Sequence, residues 1–170
     1  RGDLNQLYIK NLYRLDDRVL KFIAETKYLP PMVCRPEIVR NNYESGYLTK
    51  KDALILTAYN YHDENICLDH INRMNQIPLT LNIPLLKLYA EMPKKALDTE
   101  EKRIAYERMV NASYRVYADL AANSNRFFLT HKVDKRGRTY AQGYHVNTQG
   151  SAYKKTICDF YEKEVVEGAF

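Results

Sequence analysis

Phe127-Phe128-Leu129, Asp134-Lys135-Arg136-Gly137-Arg138 and Thr139-Tyr140-Ala141-Gln142-Gly143-Tyr144, taken in order, are the stretch on which the fold turns. Two short runs, one aromatic and one alternating, flank a charged turn centred on a glycine, which is the pattern of a small β-hairpin. Gly137 between two arginines supplies a positive φ or a close approach to a partner, while the guanidinium groups flank it. From 131 to 155, six basic residues (Lys132, Lys135, Arg136, Arg138, Lys154, Lys155) meet one acid, Asp134. The net charge of that stretch equals the +5 of the whole chain, so the remaining residues balance to zero. Charge focused this tightly implies a site, and a phosphate backbone is the natural occupant.

Outward from the hairpin, the chain reads as mostly helical. Asp3 and Gln6 form a capping box, and Leu4, Leu7, Leu12, Leu15, Val19, Phe22 and Ile23 recur at helical spacing to about Thr26. Pro30-Pro31 ends that helix, and 41–46 is a polar turn. Thr49 and Asp52 open a second helix to about Tyr59, and a third runs from Asp63 towards Gln76, stopped by Pro78. Asn82 with Pro84 reads as an N-cap followed by a first-turn proline, launching Leu85 to Met92. Asp98 or Thr99 opens the longest helix, to about Ala122, with Ile104, Met109, Tyr114, Tyr117 and Leu120 as a loose apolar stripe. Asn147 to Gly150 is a second turn, and Ser151 caps a final helix to about Val165. The expected class is mainly α, with a small β-hairpin element near the C-terminus.

Composition narrows the classes. In 170 residues, 45% hydrophobic and 28% charged is an ordinary globular balance, enough for one domain with a core. Fifteen tyrosines and no tryptophan suit interfaces and nucleic-acid surfaces, because the ring packs while its hydroxyl stays wet. Cys34, Cys67 and Cys158 are odd in number and lack zinc-ligand spacing, so neither a disulfide framework nor a zinc site is expected, and a reducing cytoplasm fits. No apolar run approaches the roughly 20 residues that span a bilayer, so no membrane partner is expected. Arg1-Gly2-Asp3 shows neither an initiator methionine nor a signal peptide. His62, His70, His131 and His145 form no ligand set, and Asp98, Glu100 and Glu101 suit a helix N-terminus better than a metal. No Walker-type glycine loop or catalytic Ser-His-Asp spacing is present.

The order Asp-x-x-Gly-Arg-x-Tyr-Ala (134–141), Asn-x-Gln-Gly (147–150) and Lys155 resembles the single-subunit RNA polymerases of phages and mitochondria. Leu29-Pro30-Pro31-Met32-Val33 with Gly46-Tyr47 is similar to a Leu-Pro-Met-Val…Gly-Gly-Tyr stretch of that family. Ile71-Asn72 and Leu81-Asn82 are similar to its paired Ile-Asn helix. Asn75 and Leu79 stand where the family usually has glutamine and tryptophan. The resemblance implies that residues 1–126 form a helical N-terminal, thumb-like region and that 127–170 begin the palm, the two making one compact unit. It also implies that Arg138 holds template DNA or the RNA–DNA hybrid beside the active site, with Lys155 near the incoming nucleotide.

The family's metal-binding aspartates, its fingers lysine and its His-Asp block lie downstream of Asp-x-x-Gly-Arg and are not among these residues. The expectation is therefore a subunit or fragment of a DNA-directed RNA polymerase, most like the small subunit of a split, heterodimeric lytic-phage enzyme. It would bind no cofactor itself, and a second polymerase subunit would carry the catalytic aspartates and Mg²⁺. The candidate nucleic-acid contacts are Arg138, Gly137, Arg136, Lys135, Tyr140, Lys155 and Lys154, with Asp134 supporting the loop. Each has a plainer reading: a solvated flank for Lys135 and Arg136, an ordinary turn for Gly137, core packing for Tyr140. Lys154 and Lys155 compete for one role. The rival functions are a free-standing, non-specific nucleic-acid-binding module and a helical protein-interaction domain.

Overall fold

A computed structural model describes residues 16–19, 28–49, 52–57, 60–164 and 168. The expected N-terminal helix lies outside the described residues, except that residues 17–19 are helical.

The molecule is organised around one crossing segment, residues 127–133. Phe127, Phe128, Leu129 and Val133 are each at most 2% exposed, and their side chains are divided among three apolar clusters. Phe127 and Leu129 enter the largest, with Leu79, Leu81, Tyr117, Leu120, Val146 and Ile157. Phe128 points the other way, onto Met32 and Tyr47, and Val133 joins Val39, Leu54 and Ile71. The alternation at 127–129 is that of extended chain buried on both faces, where each large side chain contributes about 1.5–3 kcal/mol.

The same segment ties distant backbone together. Met32 bridges Phe128, Leu79 bridges Phe127, and Ile55 bridges Val133 in the parallel sense. Strand β1 (Leu79–Leu81) pairs on its other side with β4 (Cys158–Phe160), Leu81 opposite Cys158. Strands β2 (His131–Val133) and β3 (Thr139–Ala141) form an antiparallel hairpin with Val133 opposite Thr139 and His131 opposite Ala141. The hairpin expected from the sequence is there, with its first strand beyond Phe127-Phe128-Leu129 rather than on it.

Apart from helical residues 17–19, four helices complete the described residues: α1 (Leu68–Asn75), α2 (Ile83–Leu88), α3 (Glu100–Ala122) and α4 (Ala152–Thr156). Their starts obey local chemistry. The side chains of Asn82, Thr99 and Ser151 accept from the backbone N–H three residues on, at 3.1, 3.3 and 3.3 Å. In α3 only Ser113, Tyr117 and Leu120 are buried, so its first turns stand clear of the core.

The mainly α expectation is corrected by these elements. Residues 52–57 are not a helix: Leu56 N–H donates to Val133 O at 2.8 Å and Val133 N–H to Leu54 O at 3.1 Å, so the segment lies along β2. The third helix begins at Leu68 rather than Asp63, and α2 stops at Leu88 where Tyr89 turns extended. The last helix is five residues long, and the chain then enters β4. At 54–56 and 158–160, apolar spacing short enough to suit either state is claimed by pairing with a distant strand. Both sheets and all three bridges join backbone from well-separated parts of the chain or flank the basic turn.

No described helix is long and apolar enough to cross a membrane.

Candidate nucleic-acid interface

The Asp134–Arg138 turn is built on one carboxylate. Asp134 Oδ1 accepts from the backbone N–H groups of Arg136 and Arg138, both at 2.9 Å. Its Oδ2 accepts from Arg138 Nε at 2.8 Å and from the Tyr140 hydroxyl at 3.1 Å. The backbone closes the same loop, Asp134 N–H to Arg138 O and Gly137 N–H to Asp134 O, each 2.9 Å. The Arg138 backbone N–H and guanidinium, with the Tyr140 hydroxyl, hold the Asp134 carboxyl below the usual carboxylate range. A turn this tight needs a left-handed residue, and Gly137 supplies it with φ of 83°. No atom lies within 4 Å of where a Gly137 Cβ would sit, so conformation and not local crowding selects glycine.

Arg138 is thus both oriented and available. Its Nε is held by Asp134, its Cζ lies 5.9 Å from the Tyr140 ring centroid, and its side chain is 56% exposed. Arg136 is 73% exposed with Nε 3.7 Å from Asp134, and Lys135 is exposed at the tip. Lys132, next along β2, is instead committed to Asp52 at 2.8 Å.

The two motif blocks interlock. Gln149 Oε1 accepts from Ala141 N–H at 2.8 Å and Gln149 Nε2 donates to Thr139 O at 3.0 Å. Asn147 Nδ2 donates to Ala141 O at 3.1 Å and to Gly143 O at 2.8 Å. The second turn therefore braces the open side of β3, a role its sequence did not disclose. The other resembling segments gather around the crossing segment. Asn72 clamps both backbone groups of Val39 at 2.8 Å, and Asn75 Oδ1 accepts from His131 N–H at 2.9 Å. Gly46 sits so close to Asn75, Thr130 and Pro36 that a Cβ would meet them at 3.0–3.2 Å.

Lys154 and Lys155 part company on α4. Lys155 is exposed, whereas the Lys154 ammonium lies 4.7 Å from the Tyr144 ring centroid and donates to the Tyr144 carbonyl. Lys154 therefore belongs with a groove that sequence reasoning missed, lined also by Lys94, Lys95 and Lys102; the Pro93-Lys94-Lys95 run was its one signal. A second groove of about 400 Å³ lies between Tyr28, Tyr47, Tyr140 and Tyr144. Ser113 Oγ and His145 Nδ1 are 2.8 Å apart, but Ser113 also bonds back to Met109 O within α3, so this contact fastens a turn to a helix. Among the described residues no group of three or more His, Cys, Asp or Glu could hold a metal ion, and the three cysteines are free. Compared with models of known protein families and with curated proteins, the chain matches none.

Proposed function

We propose that this chain is a subunit or fragment of a DNA-directed RNA polymerase that grips template DNA or the RNA–DNA hybrid next to an active site completed by a partner chain. The observation that carries the reading is the interlock of the Asp134–Arg138 turn with Asn147 and Gln149. Two sequence blocks resembling one polymerase family, separated in the chain, act as a single rigid device that presents Arg138. Rigidity matters because a bidentate guanidinium contact to phosphate has a required geometry, while a general attraction does not. In this reading the partner holds the Mg²⁺ ions and does the two-metal chemistry, and this chain supplies position. Its setting would be the cytoplasm, that of the host if the protein is viral.

The test is reconstitution with a partner that begins where the family's palm continues. The chain alone should incorporate no ribonucleotide. In the reconstituted enzyme, Arg138→Lys keeps the charge and loses the planar fork. It should retain most nucleic-acid affinity yet slow elongation or initiation at least tenfold, about 1.4 kcal/mol. Wild-type rates in that variant would sink the positioning role. A free-standing binder would show affinity and activity moving together.

A further inference from the structure

The 91–97 loop and the first turns of α3 line a groove of about 400 Å³, which Tyr144 and Lys154 border from the other side. Its apolar lining comes from Met92, Leu97, Ala105, Tyr106 and Met109. Its rim carries four lysines, Lys94, Lys95, Lys102 (paired with Asp98 at 2.6 Å) and Lys154, against a single lining carboxylate, Glu91. That carboxylate is already engaged by the Ser151 hydroxyl at 2.7 Å, and the Tyr106 hydroxyl ties the loop to α3 through the Glu91 carbonyl. Met92, 79% exposed, offers a large apolar face to solvent beside these cations.

We propose that this groove binds single-stranded nucleic acid, the lysine rim holding phosphates and the apolar lining receiving bases. A single strand is itself amphipathic, with anionic backbone and flat apolar rings, and pairs with a surface of the same double character. A duplex buries its bases and offers only phosphates, so the apolar lining would gain nothing from it. Continuity supports the assignment. Tyr144 lines this groove and also the tyrosine groove, whose wall includes Tyr140 beneath Arg138. A strand leaving the lysines across Tyr144 therefore runs towards the hairpin. Burial, with the charge of Lys94 adding to it and Glu91 opposing, holds the Lys154 ammonium below the usual lysine value. A polyanion in the groove relieves that cost. The inference rests on the reading of this chain as a nucleic-acid binder, not on its place in a polymerase.

The experiment measures fluorescence anisotropy of a labelled oligothymidylate of about 12 nucleotides, and of a duplex of equal length, against the full chain over a range of salt. For the single strand, Lys94→Ala/Lys95→Ala should weaken binding about tenfold and flatten the log–log salt slope by about 1.4. Met92→Glu should weaken strand binding about fivefold. Both variants should leave duplex affinity within about twofold, because Arg138 and its neighbours are intact. The proposal is overturned by wild-type strand affinity and slope in the double variant, or by equal losses for strand and duplex. It is equally overturned if polyglutamate displaces the oligonucleotide as well as unlabelled oligothymidylate does, since the groove would then read charge alone. The assay needs neither partner nor transcription. Failure of any partner to restore template-dependent synthesis with strand binding intact sinks the polymerase reading alone, and lost groove specificity with the Arg138 effect intact sinks this inference alone.

Discussion

The hairpin tip and the lysine groove are both cationic, yet they hold their charges in opposite ways. At the tip, one carboxylate takes four hydrogen bonds from Arg136, Arg138 and Tyr140, and Gln149 and Asn147 brace the strand behind. In the groove, Lys94 and Lys95 project from an irregular loop, and Lys102 leans on Asp98 at 2.6 Å across one helical turn. An exposed pair of that kind contributes little. Pinned arginines can select a geometry, whereas loose lysines on a soft lining attract and release. The difference teaches that positive charge by itself does not name a role; the rigidity behind it does.

The largest effect expected on this contrast comes from the joint between the two regions. A Cβ on Gly143 would collide with the Val146 carbonyl oxygen, so the backbone there must part before a side chain fits. Gly143→Ala should cost about 2–3 kcal/mol by urea denaturation and loosen the Asn147 brace on the hairpin. Wild-type stability would show that the brace yields easily and that the tip is not pinned after all.

A second effect separates the regions by acid. His131, at the base of the hairpin, is buried; its backbone N–H and Nδ1 both meet Asn75 Oδ1, at 2.9 and 3.0 Å. Burial first, and the neighbouring His70 second, push its pKa down from 6.5 to about 4. Because the folded value lies below the unfolded one, the unfolded chain takes up the proton first. Stability is then complete above about pH 6.5 and falls as pH drops towards 4. His131 should account for about 2 kcal/mol of loss between pH 7 and pH 5. Burial, then Lys154, lower His145 as well against an opposing Glu91, so the measurement is the wild-type loss minus that of His131→Gln. Identical pH profiles for the two proteins would remove the hairpin's acid sensitivity.

The smallest effect sharpens the comparison at the tip itself. Gly137→Ala forces a side chain into φ of 83°, at a cost of about 1 kcal/mol with no clash to add to it. The turn should relax, weakening duplex binding more than strand binding, whose main contacts lie in the lysine groove. Parallel titrations of the two ligands read this directly; equal losses would mean that the two regions act as one surface.

What the sequence disclosed was chiefly what depends on near neighbours. Asn82, Thr99 and Ser151 announce helix starts because a cap is a contact three residues long. Asp134 lies within four residues of its partners, accepting from the Arg138 backbone N–H and guanidinium. The errors fall where a short apolar run has a remote partner. Leu54-Ile55-Leu56 has helical company in sequence, but its backbone goes to Val133. Cys158-Asp159-Phe160 continues a helix on paper and instead meets β1. The lysine groove was hidden for the same reason: Lys154 and Lys94 are sixty residues apart, and only the turn after α2 brings them to one space.

The crossing segment has a consequence for the order in which the molecule can assemble. Met32, Ile55 and Leu79 each wait for a backbone partner that follows them by many tens of residues, at Phe128, Val133 and Phe127. During synthesis the first half of the chain therefore emerges with its strand-forming residues unpaired, and nothing local can satisfy them. Closing such long loops precedes any reward from the contacts, which makes folding slow and leaves apolar edges open meanwhile. Among the described residues helix α3, stabilised from its own cap, is the one large element free to form early. The arrival of residues 127–133 would then commit three separate stretches at once, so that the molecule folds late and together.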